Sequence, residues 1–313
     1  MDLDAYFGHK AEPAGYKSGF VALVGRPNAG KSTLLNRVLG QKVAIVSDKP
    51  QTTRTKIQGI YTDERMQAVF FDTPGIHKAG NKLGKYMNQA AEMTFGDVDI
   101  ICYLVDASVP FGGGEAHICR ELSAQKTPVF LLLNKLDLLD EAALNAVRAV
   151  YMEKLPGARI LAISARNGDG VEALLYALYA ALPEGPRYYD PEQVTDQPER
   201  QIMAEIIREK IFLQTREEIP HAVAVTLNQY QRRGNGMLYL EAFIYVERDS
   251  QKGIIIGKGG SMLREIGRAA RAEIESLFDE QIYLELRVKV KKDWRDDPLL
   301  LKSLGYDIKK LRG

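Results

Sequence analysis

Phe20-Val21-Ala22-Leu23-Val24-Gly25-Arg26-Pro27-Asn28-Ala29-Gly30-Lys31-Ser32 sets an apolar run against a glycine loop, and a helical pattern, Ser32–Leu39, follows. The unbroken run fits a strand covered on both faces. The loop matches G-x-x-x-x-G-K-S in the strand-then-helix context that this pattern requires. Gly25 and Gly30 let backbone N–H groups curl around a phosphate, and the helix N-terminus adds partial positive charge. Lys31 is placed to reach the outer phosphates and the Ser32 hydroxyl to ligate Mg²⁺.

Further along, the same alternation repeats. Strands are expected at Phe20–Val24, Ala68–Asp72, Ile100–Val105, Val129–Leu133 and Ile160–Ile163, with amphipathic stretches between them. Such alternation predicts an α/β unit with a mostly parallel sheet and helices on both faces. Leu174, Leu175, Leu178 and Leu182 keep helical spacing, and Asp169 with Glu172 predicts a capping box ahead of them.

Two strand ends carry chemistry. Asp72-Thr73-Pro74-Gly75 closes the second run. Asp72 there can hold Mg²⁺ through water, and the Gly75 N–H can sense a terminal phosphate. Thr52 and Thr53, in Gln51-Thr52-Thr53-Arg54-Thr55, can bring a second hydroxyl to the ion from a mobile loop. Asn134-Lys135-Leu136-Asp137 follows the apolar run Pro128–Leu133. A carboxylate just past a buried strand can face a purine edge. Guanine offers two adjacent donors there, its ring N–H and its exocyclic amine, and adenine offers no such pair, so Asp137 would select guanine. Asn134 would brace the loops and the Lys135 stem would cover the base. The Ala165 N–H, in Ser164-Ala165-Arg166, would meet the guanine carbonyl. The expected nucleotide contacts therefore run over Gly25–Ser32, Asp72–Ile76, Asn134–Asp137 and Ser164–Ala165. Lys31, Thr53 and Gly75 act at the terminal phosphate, and Ser32, Thr52, Thr53 and Asp72 serve the metal.

At 313 residues, 45% of them hydrophobic, the chain has material for two packed domains. No apolar run approaches the ~18 residues of a membrane span. Met1–Ser18 carries charges and lacks the apolar centre of a secretory signal. Cys102 and Cys119 have no metal-ligand spacing and read as reduced thiols of a cytoplasmic protein. The first domain is expected over residues 17–183. Pro183-Glu184-Gly185-Pro186 ends the alternation, 184–199 reads as a linker, and 200–313 forms the second domain. From Arg200 onward there are 21 basic and 17 acidic residues, against 21 and 24 before it, which suits a polyanion partner for the second half.

That half has its own order: a helix near Arg200–Thr215, strands at Ala222–Gln229 and Leu238–Val246, a helix pair, and a strand at Ile282–Val290. Gly257-Lys258-Gly259-Gly260 joins the paired helices. Gly257 and Gly260 let a nucleic-acid backbone approach, Lys258 adds a phosphate partner, and the next helix adds its dipole. Loop and element order together resemble an α+β KH domain of type II. Arg264, Arg268 and Arg271 share the following helix, where solvation and RNA contact are equally open. Trp294 can stack a base or anchor the tail, and anchoring is the reading preferred.

The motifs in this order are those of the translation-factor-related GTPases. With Gly25–Ser32 and the tail, including Arg208-Glu209-Lys210-Ile211 and Val288-Lys289-Val290-Lys291, the chain closely resembles the Era family of bacterial ribosome-assembly GTPases from about Lys17 to Tyr306. The resemblance implies GTP hydrolysis with Mg²⁺, and K⁺ bound at Asn28 in place of an arginine finger. It implies binding to the 3′ end of small-subunit (16S) ribosomal RNA, a role in maturing that subunit, and a monomer. It also implies a cytoplasmic protein, peripherally associated with the inner face of the membrane. One departure stands out: Ile76 occupies the place where Ras-like proteins carry a water-orienting glutamine, so slow intrinsic hydrolysis is expected. Two rival classes are a P-loop phosphotransferase acting on a small molecule and a GTPase whose tail binds protein. Asn134–Asp137 opposes the first and Gly257–Gly260 the second.

Overall fold

A computed structural model describes residues 15–94, 96–234 and 236–307. The first unit runs β1 (Lys17–Val24), α1 (Lys31–Leu39), β2 (Ile57–Thr62), β3 (Met66–Asp72), α2 (Lys82–Glu92), β4 (Ile100–Asp106), α3 (Gly113–Ser123), β5 (Val129–Asn134), α4 (Glu141–Lys154), β6 (Arg159–Ala162) and α5 (Val171–Ala181). Its sheet order is β2-β3-β1-β4-β5-β6. The β3-β1-β4-β5-β6 neighbours are parallel and β2 is antiparallel to β3.

The apolar runs are continuous because both faces are covered. Val21 and Leu23 of β1 pack with Leu34, Leu35, Leu174 and Leu178 from α1 and α5. Ala22 and Val24 pack with Ile118, Leu122 and Tyr151 from α3 and α4. Each such aliphatic side chain, fully withdrawn from water, contributes roughly 1.5–3 kcal/mol.

Two expectations fail. β2 was not expected: Ile57-Gln58-Gly59-Ile60-Tyr61-Thr62 has a glycine at its centre, which weakens any strand pattern. A Cβ at Gly59 would meet Leu35 Cδ1 at 2.6 Å and Leu39 Cδ1 at 2.8 Å, so the glycine lets these α1 leucines pack close against the strand. The capping box at Asp169 does not form. Gly170, at φ 73°, caps α5, and Asp169 instead gives its carbonyl to the Ser164 N–H at 2.9 Å.

Residues 184–199 return along the edge of the sheet. Ile60 donates to the Val194 carbonyl at 2.8 Å, and Gln67 Oε1 receives the Tyr188 and Tyr189 N–H groups at 2.7 and 3.0 Å. The second unit follows: α6 (Glu199–Gln214), β7 (Ala224–Arg232), β8 (Leu238–Val246), α7 (Asp249–Ile256), α8 (Ser261–Phe278), β9 (Ile282–Val290) and α9 (Pro298–Ser303). Its sheet order is β7-β8-β9, antiparallel then parallel. Ile207 and Ile211 of α6 and Ile266, Ala270 and Ile274 of α8 close over Leu240, Ala242 and Ile244. A smaller cluster joins the units: Leu83, Tyr86 and Met87 of α2 pack with Tyr245, Trp294, Leu301 and Tyr306. Trp294 is fully buried and donates its indole N–H to the Ala222 carbonyl at 2.9 Å, which makes it an anchor of the tail. Among the described residues, no helix is long and apolar enough to cross a membrane.

Candidate nucleotide site and nucleic-acid interface

The loop after β1 turns on residues outside the usual backbone range. Gly25 lies at φ 153°, Asn28 at 64° and Gly30 at 101°. A Cβ on Gly25 would lie 2.3 Å from the Leu104 carbonyl oxygen, so glycine is the residue that fits. The loop delivers α1 with its first N–H groups facing a cavity of about 790 Å³. Arg26, Pro27, Asn28, Ala29, Lys31, Ser32, Thr52, Thr53, Gly75, Asn134, Lys135, Asp137 and Ala165 line it. The Lys31 ammonium is buried and donates to the Gly25 and Arg26 carbonyls at 3.1 and 3.0 Å. Arg26 pairs at the cavity wall with Glu115 at 2.9 Å.

Three oxygens converge beside Lys31. Ser32 Oγ donates to Asp72 Oδ2 at 2.5 Å, and Thr53 Oγ1 lies 2.8 Å from Ser32 Oγ and 3.3 Å from Asp72 Oδ2. Asp72 is fully buried, and its Oδ1 has no hydrogen-bond partner. Burial pushes its carboxyl above the ordinary range, opposed by Lys31 and by the Ser32 and Thr53 hydroxyls. Two hydroxyls and a carboxylate whose second oxygen is buried without a partner form the hard donor set that suits Mg²⁺. Thr52 departs from expectation: its hydroxyl donates to the Lys49 carbonyl at 2.7 Å, so Thr53 alone of the pair faces Ser32 and Asp72.

After Asp72, the Thr73 hydroxyl is spent on the Leu23 carbonyl at 2.8 Å. Pro74 leads to Gly75, which passes against the phosphate loop: a Cβ there would lie 2.5 Å from Pro27 N. Ile76 donates its N–H to the Gly25 carbonyl at 3.2 Å and buries its side chain in the core, so it offers nothing polar to a water molecule. His77 donates its Nδ1–H to the Gly75 carbonyl at 2.9 Å, with Gln51 Nε2 3.0 Å from its Nε2. Asn28 sits exposed at the cavity rim and donates to the Asp48 carbonyl.

At the other end, Asn134 ties two loops, donating to the Ala29 carbonyl at 2.7 Å and accepting the Ala165 N–H at 2.9 Å. This corrects the expected role of Ala165, whose N–H is given to Asn134 and not directed at a base. Lys135, at φ 69°, starts the short turn Leu136–Leu138 and pairs with Asp106. Leu136 donates to the Ile163 carbonyl at 3.1 Å. The turn holds Asp137 exposed at the cavity, where Oδ1 accepts the Ser164 hydroxyl at 2.5 Å. Arg37 also braces this end, donating to the Ala165 and Arg166 carbonyls. Nothing in an exposed helical arginine signals that role in advance.

In the second unit, Gly257, Gly259 and Gly260 lie at φ 71°, 58° and 78°. Lys258 and Gly259 are exposed at the tip between α7 and α8. Arg264 folds back onto the Gly259 carbonyl at 2.9 Å, while Arg268 is exposed and Arg271 pairs with Glu275 at 2.9 Å. Beside α8, Leu284, Leu286, Val288 and Val290 of β9 remain partly exposed and form an apolar strip next to the glycine loop.

Fold and site together define a P-loop GTPase carrying a C-terminal KH domain. The 50S ribosome-binding GTPase family matches residues 20–135 and the KH domain family residues 218–295. GTPase Era of Heliobacterium modesticaldum is 52% identical over 294 residues, covering 94% of this chain and 98% of the relative. The chain belongs to the Era family of GTPases. Two crystal structures are similar at 37% identity, each covering 93% of this chain and 99% of the other. One, with TM-score 0.90, is Aquifex aeolicus Era bound to GDP·AlF₄⁻. The other, with TM-score 0.91, is Era in complex with MgGDPNP and nucleotides 1506–1542 of 16S ribosomal RNA.

Proposed function

We propose that this protein is a GTP-driven switch that binds the 3′ end of 16S ribosomal RNA and assists assembly of the small ribosomal subunit. The observation that carries this reading is the single cavity in which phosphate loop, oxygen cluster and guanine-facing Asp137 meet. The RNA part rests on the exposed glycine loop and on the solved relative that holds this RNA segment with MgGDPNP. In this reading the N–H groups of Gly25–Ser32 cradle the phosphates, Lys31 pairs with the outer ones, and Gly75 reports the terminal one. Ser32, Thr53 and, through water, Asp72 hold Mg²⁺, which when bound bridges and neutralises phosphate oxygens. With Ile76 buried, no side chain at that position orients water, so intrinsic turnover is slow. The domains divide as 17–183 and 200–313 with 184–199 between them. A cytoplasmic monomer with peripheral contact at the inner membrane face is carried by family resemblance alone.

Three outcomes check the parts. Burial lowers the Lys31 ammonium to about 8, partly opposed by Asp72. Bound phosphates restore anionic partners and raise it again, so binding takes up a proton where the free lysine has lost one. Calorimetric titration with GDP at about pH 9, in buffers of different ionisation heat, should show proton uptake that vanishes near about pH 6.5. Buffer-independent heat at the higher pH would contradict the assignment. Asn28 is the K⁺ residue of this reading, and turnover should be faster in K⁺ than in Na⁺; equal rates sink it. Gly259→Asp puts a carboxylate where the RNA backbone passes. The position has open space, and aspartate tolerates its φ of 58° better than most residues. RNA affinity in a filter-binding titration should fall about tenfold or more, with GTP affinity unaffected. Unchanged RNA affinity would exclude this loop as the contact.

A further inference from the structure

We propose that Arg54 and Arg208 are positioning residues for the GTP-bound site: from the interface between the domains they hold Thr53 against Ser32 and Asp72. The proposal rests on the reading of Thr53 as a metal ligand in the triphosphate state.

Thr53 stands between two residues that the second domain grips, one by its backbone and one by its side chain. On its N-terminal side, the Thr52 carbonyl accepts a hydrogen bond from Arg208 Nη2. Arg208 is fully buried on α6, braced by Glu205 at 2.9 Å and lying over the Phe212 ring at 5.0 Å. On its C-terminal side, Arg54 leaves the first domain altogether. Its guanidinium donates to the Val223, Pro220 and His221 carbonyls at 2.5, 3.2 and 3.1 Å. It also lies 5.8 Å from both the Phe212 and Trp294 rings, a cage of two aromatics and three carbonyls. A guanidinium fits such a cage because its planar fork donates to several oxygens at once while its faces stack.

The grip extends upstream. Lys49 caps the C-terminal carbonyls of α6 at Phe212 and Thr215, the Val46 N–H donates to Glu209 at 2.9 Å, and Lys42 pairs with Glu209 and Glu273. The loop backbone is thus fastened to the second domain, while the Thr53 hydroxyl points the other way, into the oxygen cluster. Rotating Thr53 out of the cluster moves the peptides on both its sides. That motion must withdraw Arg54 from its carbonyls or pull Thr52 from Arg208. The second domain therefore supplies part of the order that the triphosphate site needs, and any ligand that shifts α6 or the turn 220–223 shifts that site by the same coupling.

The test compares two nucleotides in the full chain. A diphosphate does not require Thr53, whereas Mg²⁺ with the analogue GDPNP does. In equilibrium titrations with fluorescent GDP and GDPNP, Arg54→Met should weaken GDPNP with Mg²⁺ about tenfold or more and leave GDP within about twofold. Arg208→Lys, which keeps charge but loses the fork, should act in the same direction. Thr53→Ala should reproduce the loss, and the Thr53→Ala/Arg54→Met pair should lose no more than Thr53→Ala alone. Where Arg54→Met fails to fold, Arg208→Lys carries the same comparison. Equal losses for both nucleotides, or none for either, overturn the proposal. If Thr53→Ala itself leaves GDPNP affinity unchanged, the metal-ligand reading fails. If Thr53→Ala is selective and the arginine variants are not, the proposal alone fails.

Discussion

Asp137→Asn is expected to lower GTP affinity by about two to three orders of magnitude and to make xanthosine triphosphate the preferred nucleotide. The cause is local. Asp137 is held at the cavity by a one-turn element, started by left-handed Lys135 and pinned by the Leu136–Ile163 hydrogen bond. Ser164 fixes the carboxylate by donating to Oδ1. Its charge and paired acceptors suit the adjacent ring N–H and amine of guanine. Asparagine retains one acceptor and turns the other position into a donor, which opposes the guanine amine and suits the oxygen that xanthine carries there. Competition titrations with both triphosphates read the exchange. GTP affinity unaltered in the variant would remove Asp137 from the base site.

Trp294→Ala is expected to cost about 3–5 kcal/mol, the range for emptying a buried tryptophan site. The indole is fully enclosed, donates to Ala222, stacks on Tyr306 at 6.0 Å, and forms one wall of the cage around Arg54. Its loss removes packing and also loosens the contact between α2 and the tail. Because the chain has two cores, calorimetry should show the transition of residues 200–307 moving to lower temperature and separating from that of the nucleotide domain. An unchanged melting profile would show that the tail is held elsewhere.

The site was largely legible in the sequence because its determinants are contiguous. A phosphate loop needs glycines at fixed offsets, a guanine reader needs a carboxylate at a strand end, and a G-x-x-G turn needs a helix on either side. Each requirement is met within about eight residues, so spacing alone carries it. What was missed depends on distant partners. β2 owes its strand geometry to β3 and to the returning Val194, and its central glycine to the close passage of Leu35. The helix after Gly170 is capped by a left-handed glycine where a capping box was spelled out, because a Cβ at Gly170 would lie 2.3 Å from the Ala162 carbonyl oxygen. Thr52 and Thr53 are indistinguishable as sequence; in the fold Thr52 turns its hydroxyl to the Lys49 carbonyl and Thr53 turns its own to the Ser32 and Asp72 oxygens. Arg54 reads as an ordinary polar loop residue until the second domain is folded against it.

In the proposed function, nucleotide state and RNA binding are coupled in one chain. The most direct test of this coupling is the affinity of the intact protein for an RNA fragment from the 3′ end of 16S ribosomal RNA, measured with GDPNP and Mg²⁺ and again with GDP. A difference of about tenfold or more between the two states is predicted; equal affinities would contradict a switch.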